Sequence, residues 1–167
     1  MIELREEDVI EAASKGMDEF LQLFTDAYIK VLSGELTADK MEELNGEQHT
    51  LLAYRYFVEQ IMVGGFCQLI QNGYGPYIFD NPFAKAMRLW GVKDFSKLIY
   101  SAKAIYDEHK EDLEKERTDE EFMAMYEKYE AFDVLEEKFM VEEELYTMLI
   151  ASYVDEHIEE FAEIITN

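Results

Sequence analysis

An all-α, compact multi-helix single domain is predicted for this chain by three observations. Only two prolines occur, Pro76 and Pro82, both in the central third, so the long stretches on either side are free of helix breakers. Apolar residues recur at helical spacing over most of the chain, as in Phe20, Phe24, Ala27, Tyr28 and Val31. Strand-like alternation is scarce, and Tyr77-Ile78-Phe79 is the single candidate, too short to build a sheet. The elements follow in order. Residues 7–32 read as helix divided at Gly16 and stopped at Ser33-Gly34. Thr37 caps a short helix that Gly46 ends, and an apolar helix runs from about Gln48 to Met62. After Gly64-Gly65 the chain re-enters helix through Phe66, Leu69 and Ile70. Asn81-Pro82 reads as an N-cap followed by proline at the first helical position, opening a helix to about Trp90. Asp94 opens another, and Thr118 with Glu121 has the spacing of a capping box. In the last helix, Ile158, Phe161, Ala162 and Ile165 form an apolar stripe beside a second one of Glu156, Glu159, Glu160 and Glu163.

Charge narrows the choice of function. The 167 residues carry 38 Asp+Glu against 15 Lys+Arg, a net −23, while 49% are hydrophobic. Eleven Tyr, eleven Phe and one Trp separate this chain from acidic disordered tails. Residues 1–60 carry −9, residues 61–106 carry +3 and residues 107–167 carry −17. Such a surface repels phosphate backbones and anionic membranes, so basic partners are expected and direct nucleic-acid or membrane binding is not. Solubility of a small domain needs a net charge magnitude of only about 2–8, and the excess asks for a reason. The acidic start lacks the basic and apolar regions of a signal peptide, and no segment nears the roughly 20 apolar residues of a membrane span, which points to a cytoplasmic protein.

Catalytic patterns are absent. His49, His109 and His157 lie in no HExxH pair, and Gly46, Tyr106 and Val154 stand where an ExxH motif would need an acid. No calcium loop, phosphate loop or CxxC pair occurs, and Cys67, set among apolar residues, reads as a buried inert thiol. No enzyme activity, metal or cofactor is expected. Glu59, Gln68 and Asn72 are polar residues among apolar neighbours around the Gly64-Gly65 break. They are expected to form a hydrogen-bonded knot in which Glu59 accepts from the two amides or from backbone N–H groups freed at the break. A small-molecule site on the same three residues is the alternative.

Glu59, Gly64-Gly65-Phe66, Gln68 and Asn72, followed by Gly75, Ala86, Trp90-Gly91, Ala102 and Tyr106, resemble the signature of the bacterial DNA-mimic-protein family of the DMP type, long filed as a domain of unknown function. The family's run is Glu-x-x-Asn-Gly-Gly-Phe-x-Gln-Tyr-x-x-Asn. Here Val63 replaces the Asn and Leu69 the aromatic. Leu135-Glu136-Glu137-Lys138-Phe139 and Tyr153-Val154-Asp155-Glu156-His157 with Phe161 are similar to its C-terminal pattern, so the likeness covers residues 33–161 and leaves 1–32 as an added N-terminal helix. The resemblance implies a helical fold, dimerisation, and an acidic surface that imitates DNA and occupies a DNA-binding protein.

Physics sets a condition on that reading. Duplex DNA carries a charge per roughly 1.7 Å of axis, whereas carboxylates four residues apart on a helix recur once per roughly 6 Å. Several acidic ridges are therefore required, and the expected contact charges are Glu108, Glu111, Asp112, Glu142, Glu143, Glu156, Glu159, Glu160 and Glu163. Two other readings stand beside this one: an interaction module using an aromatic surface around Tyr74, Tyr77, Phe79 and Phe83, its acidity serving only solubility, and the small-molecule site at Glu59, Gln68 and Asn72.

Overall fold

Helix dominates as the apolar periodicity demands, and the computed structural model describes residues 1–166. In chain order the elements are β1 (Glu3–Arg5), α1 (Glu6–Lys15), α2 (Met17–Leu32), α3 (Ala38–Met41), α4 (Gly46–Gln71), a π-helical turn (Pro76–Asp80), α5 (Phe83–Leu89), α6 (Lys93–Glu114), α7 (Asp119–Lys128), a 3-10 turn (Glu130–Phe132), α8 (Asp133–Glu156), α9 (Ile158–Phe161) and β2 (Glu163–Ile165). No helix among the described residues is long and apolar enough to cross a membrane. The chain divides into two compact units, one of residues 1–55 with the segment from Thr147 onward, the other of residues 56–146.

In the first unit α2 buries Phe20, Phe24, Tyr28 and Leu32, one turn apart on a single face. The beginning of α4 is fixed by a reciprocal pair: Gln48 N–H donates to Asn45 Oδ1 at 2.8 Å and Asn45 N–H to Gln48 Oε1 at 2.9 Å. Asn45 and Gln48 thus form a capping box with Asn in place of Ser or Thr.

The C-terminal segment of this unit departs from the expected single helix. The helix ends at Glu156, and His157 (φ −127°, ψ 34°) leads into the short α9. Residues 163–165 then pair in parallel with β1, Glu3 opposite Glu163, and Glu163 N–H donates to the Ile2 carbonyl at 2.7 Å. The reason lies in side chains from far along the chain. The Phe161 carbonyl accepts from the Tyr28 hydroxyl (2.7 Å) and from Gln48 Nε2 (2.9 Å), and the Glu160 carbonyl from Asn45 Nδ2 (2.9 Å). Carbonyls satisfied this way no longer need an N–H four residues on, and the chain is free to leave the helix.

The second unit has an aromatic core. Phe57 meets Phe139, Phe95 and Phe66 edge to face at 5.0, 5.2 and 5.7 Å, Phe66 stacks on Phe132 at 4.9 Å, and Phe79 stacks on Tyr106 at 4.7 Å. Offset and edge contacts of this kind are the favoured geometries of the ring quadrupole. Tyr77, Ile78 and Phe79 lie in the π-helical turn rather than in a strand, and all three are buried. With Phe83 also buried, three of the four aromatics of the expected surface are core instead, and Tyr74 is half-buried. Asn81 does not cap α5. Its amide donates back to the Tyr77 carbonyl at 3.1 Å, closing the π-helical turn, and α5 starts after Pro82. Thr118 does cap α7, its hydroxyl accepting from Glu121 N–H while the Glu121 carboxylate accepts from Thr118 N–H.

Candidate partner-binding surface

At the glycine pair α4 breaks and restarts. Gly65 has φ 71° and ψ −167°, a conformation open to glycine and strained for other residues. The N–H of Phe66, first residue of the restarted helix, donates to Glu136 Oε2 of α8 at 2.8 Å. A carboxylate at a helix N-terminus meets both the unsatisfied donors and the positive end of the helix dipole. The space above Gly65 is filled by that carboxylate, which a Cβ would meet at 2.4 Å. On the other side of the break, the Gly64 carbonyl accepts from the Tyr126 hydroxyl at 2.8 Å.

Gln68 Nε2 and Asn72 Nδ2 both donate to Gln60 Oε1, at 3.1 and 2.8 Å, and Glu59 is exposed. The shared acceptor is thus Gln60, one residue beyond the acid that the sequence singles out. The carboxylate of the break itself is Glu136. Burial raises its pKa above the ordinary 4.5, the Phe66 hydrogen bond opposes the shift, and nearby Asp133 adds to it. A raised carboxyl favours its neutral form in the fold, so its contribution to stability is full below the ordinary value and is lost as pH rises through the folded one. Glu136→Gln keeps an oxygen for Phe66 and removes the buried charge. The variant is expected to unfold at higher urea than the parent at pH 7, with the difference shrinking as pH falls through the raised folded value and no longer changing below about pH 4.5. A Gln variant that is no more stable at pH 7 contradicts this account of the break. Beside it, burial and then Glu136 and Asp133 push the Cys67 thiol up to about 12, which keeps it protonated and unreactive at neutral pH.

The acidic residues separate into spent and unspent charge. Asp112 is spent: it receives Lys128 Nζ at 2.8 Å, Arg117 at 3.0 Å and the Tyr129 hydroxyl. The hydrogen bonds from Lys128 and Tyr129 hold its carboxyl well below the usual range. Lys110 turns to Asp80 at 3.3 Å. Three bases of the acid-rich C-terminal third are therefore used on two aspartates and do not neutralise the glutamates around them. Glu108 and Glu111 are exposed on α6, where the helix deviates at His109 (φ −119°, ψ 17°), and Glu108 lies 3.9 Å from the His109 ring. Glu142 and Glu143 are half-buried on α8. In the first unit Glu156, Glu159, Glu160 and Glu163 are all exposed, distributed over the end of α8, α9 and β2 rather than along one helix.

The sequence places this arrangement among known proteins. The model of a family described as DMP19-like protein matches residues 42–157, more than half of the chain. The chain belongs to the DMP19-like family. A DNA mimic protein, DMP19, of Neisseria meningitidis serogroup B (strain ATCC BAA-335 / MC58) is 46% identical over 71 residues, 42% of this chain and 43% of that protein. The match to this relative thus spans less than half its length. The DMP19-like region includes the Gly65 break and Glu136, together with Glu108, Glu111, Asp112, Glu142, Glu143 and Glu156. Glu159, Glu160 and Glu163 lie beyond it, as do α1 and α2.

Sequence reasoning missed the roles of Glu136 and Gln60 because no local pattern ties either to the Gly64-Gly65 break. Glu136 is one acid among many, and its distinguishing property is what it faces, 70 residues away. The Asn45–Gln48 box was available, since Asn is as good an N-cap as Ser and Gln answers for Glu.

Proposed function

We propose that this DMP19-like chain is a non-enzymatic DNA mimic that occupies a basic, DNA-binding protein through its carboxylates. The observation that carries the reading is the unspent acid: among the described residues, none of the ion pairs engages Glu111, Glu142, Glu156, Glu159, Glu160 or Glu163. The relative named a DNA mimic supports it. Burial of Tyr77, Phe79 and Phe83 weighs against an aromatic interaction surface, and the amides of Gln68 and Asn72 are engaged with Gln60 rather than held open for a ligand. Glu108, Glu111, Glu142 and Glu143 in one unit and Glu156, Glu159, Glu160 and Glu163 in the other are the proposed contact charges. Asp112 serves the fold. Because the C-terminal acids come from three elements, their spacing is not tied to the roughly 6 Å recurrence of a single helix. Pairing with a second copy is a separate element of the proposal and rests on the family resemblance.

A partner bound this way exchanges DNA phosphates for carboxylates, and the complex weakens as salt screens it. A pull-down from native lysate at low and at high salt, with mass-spectrometric identification, tests the class of partner. DNA-binding proteins enriched at low salt and released at high salt are expected. Recovery that ignores salt, or that contains no DNA-binding protein, contradicts the proposal.

A further inference from the structure

Helix α8 is apolar on two opposite sides. Phe139 and Tyr146 are buried in the core of the second unit. At 100° per residue, Val134, Val141 and Leu145 fall together on the other side of the helix, and they remain 66%, 80% and 44% exposed. A soluble helix with one buried face ordinarily carries polar residues on the opposite one. Here three branched aliphatics at spacings of seven and four form a narrow apolar stripe that nothing in the unit covers. Its borders are acidic: the same geometry puts Glu137 and Glu144 along one side and Glu142 along the other, with Lys138 between.

We propose that this stripe is a docking surface for a basic amphipathic helix of a protein partner. Charge complementarity chooses the occupant. A second copy of this chain would bring like charge, at −23 on each, against the acidic borders. A helix with an apolar seam between lysines or arginines would bury its seam on Val141 and Leu145 and place its cations on the flanking glutamates. The stripe supplies what carboxylates alone cannot: a component of affinity that salt does not screen, and selection of partners by shape as well as by charge. The inference rests on the reading of this chain as a trap for basic proteins and assigns part of the contact to α8.

Two synthetic peptides of identical leucine and lysine composition test it, one patterned so that the leucines share a helix face and the other shuffled so that they do not. Binding is followed by fluorescence anisotropy at low and high salt, to the parent chain and to Val141→Asn/Leu145→Asn, with circular dichroism confirming that the variant is folded. The patterned peptide is expected to bind the parent about tenfold more tightly than the shuffled one, and the double substitution to erase that advantage while leaving the shuffled peptide unaffected. Equal binding of the two peptides to the parent, or an advantage that survives the substitution, overturns the docking surface and leaves the acidic trap standing. Failure of both peptides to bind at low salt overturns both. Sedimentation showing a dimer that the double substitution dissolves assigns the stripe to a second copy and overturns the proposal.

Discussion

Replacing Gly65 with alanine is expected to cost the folded state about 3 kcal/mol, read as a shift of the urea midpoint at unchanged slope. Two costs add. A side chain at φ 71° and ψ −167°, a region open essentially to glycine alone, carries roughly 1–3 kcal/mol of backbone strain. A Cβ there would stand 2.4 Å from Glu136 Oε2, so the carboxylate must retreat from the buried Phe66 N–H, and an unsatisfied buried donor costs roughly 1–3 kcal/mol. Gly34 separates the two: its φ of 73° is equally positive, but nothing lies within 4 Å of a Cβ built on it. Gly34→Ala should therefore cost only the strain, about 1 kcal/mol. Equal losses at the two positions would show that Glu136 contributes nothing to the break.

Lysine in place of Glu156, Glu159, Glu160 and Glu163 together is expected to abolish capture of a DNA-binding partner, a loss of about a hundredfold or more at low salt, without loss of helicity. All four side chains are exposed, and none is engaged in an ion pair among the described residues, so reversal turns attraction into repulsion with little effect inside the unit. Asp112→Asn makes the opposite case. Its carboxyl is held low by Lys128 and Tyr129, so the stability it contributes is present above its ordinary value of 3.8 and is lost as pH falls. Removing it should weaken the fold at neutral pH, flatten the acid limb of the stability curve, and leave capture unchanged. Unchanged capture after the fourfold reversal would remove those glutamates from the contact.

How much of this was legible in the sequence depended on the range of the force responsible. Gly16, Ser33-Gly34 and the Thr118 box mark real helix ends because their causes are local. The Gly64-Gly65 break was visible for the same reason, whereas its partner Glu136 was not. The end of α8 was hidden, since the apolar period of Ile158, Phe161 and Ile165 continues through it and the side chains that divert the chain, Tyr28, Asn45 and Gln48, lie more than 100 residues away. Tyr77, Phe79 and Phe83 looked available as a surface because composition does not say which aromatics the core consumes. Among the candidate contact acids, sequence could not tell Asp112, held by three internal partners, from Glu111 one residue before it. Where charge accumulates was readable; which charges remain unspent required the fold.

Competition for DNA tests the mimic reading most directly. A DNA-binding protein recovered in the low-salt pull-down is bound to a labelled duplex, the chain is titrated in, and anisotropy follows release of the DNA at several salt concentrations. Mimicry predicts full displacement, with binding of the chain to the protein weakening as salt rises in parallel with that of the duplex. A ternary complex that retains the DNA, or displacement whose affinity does not change with salt, would contradict it.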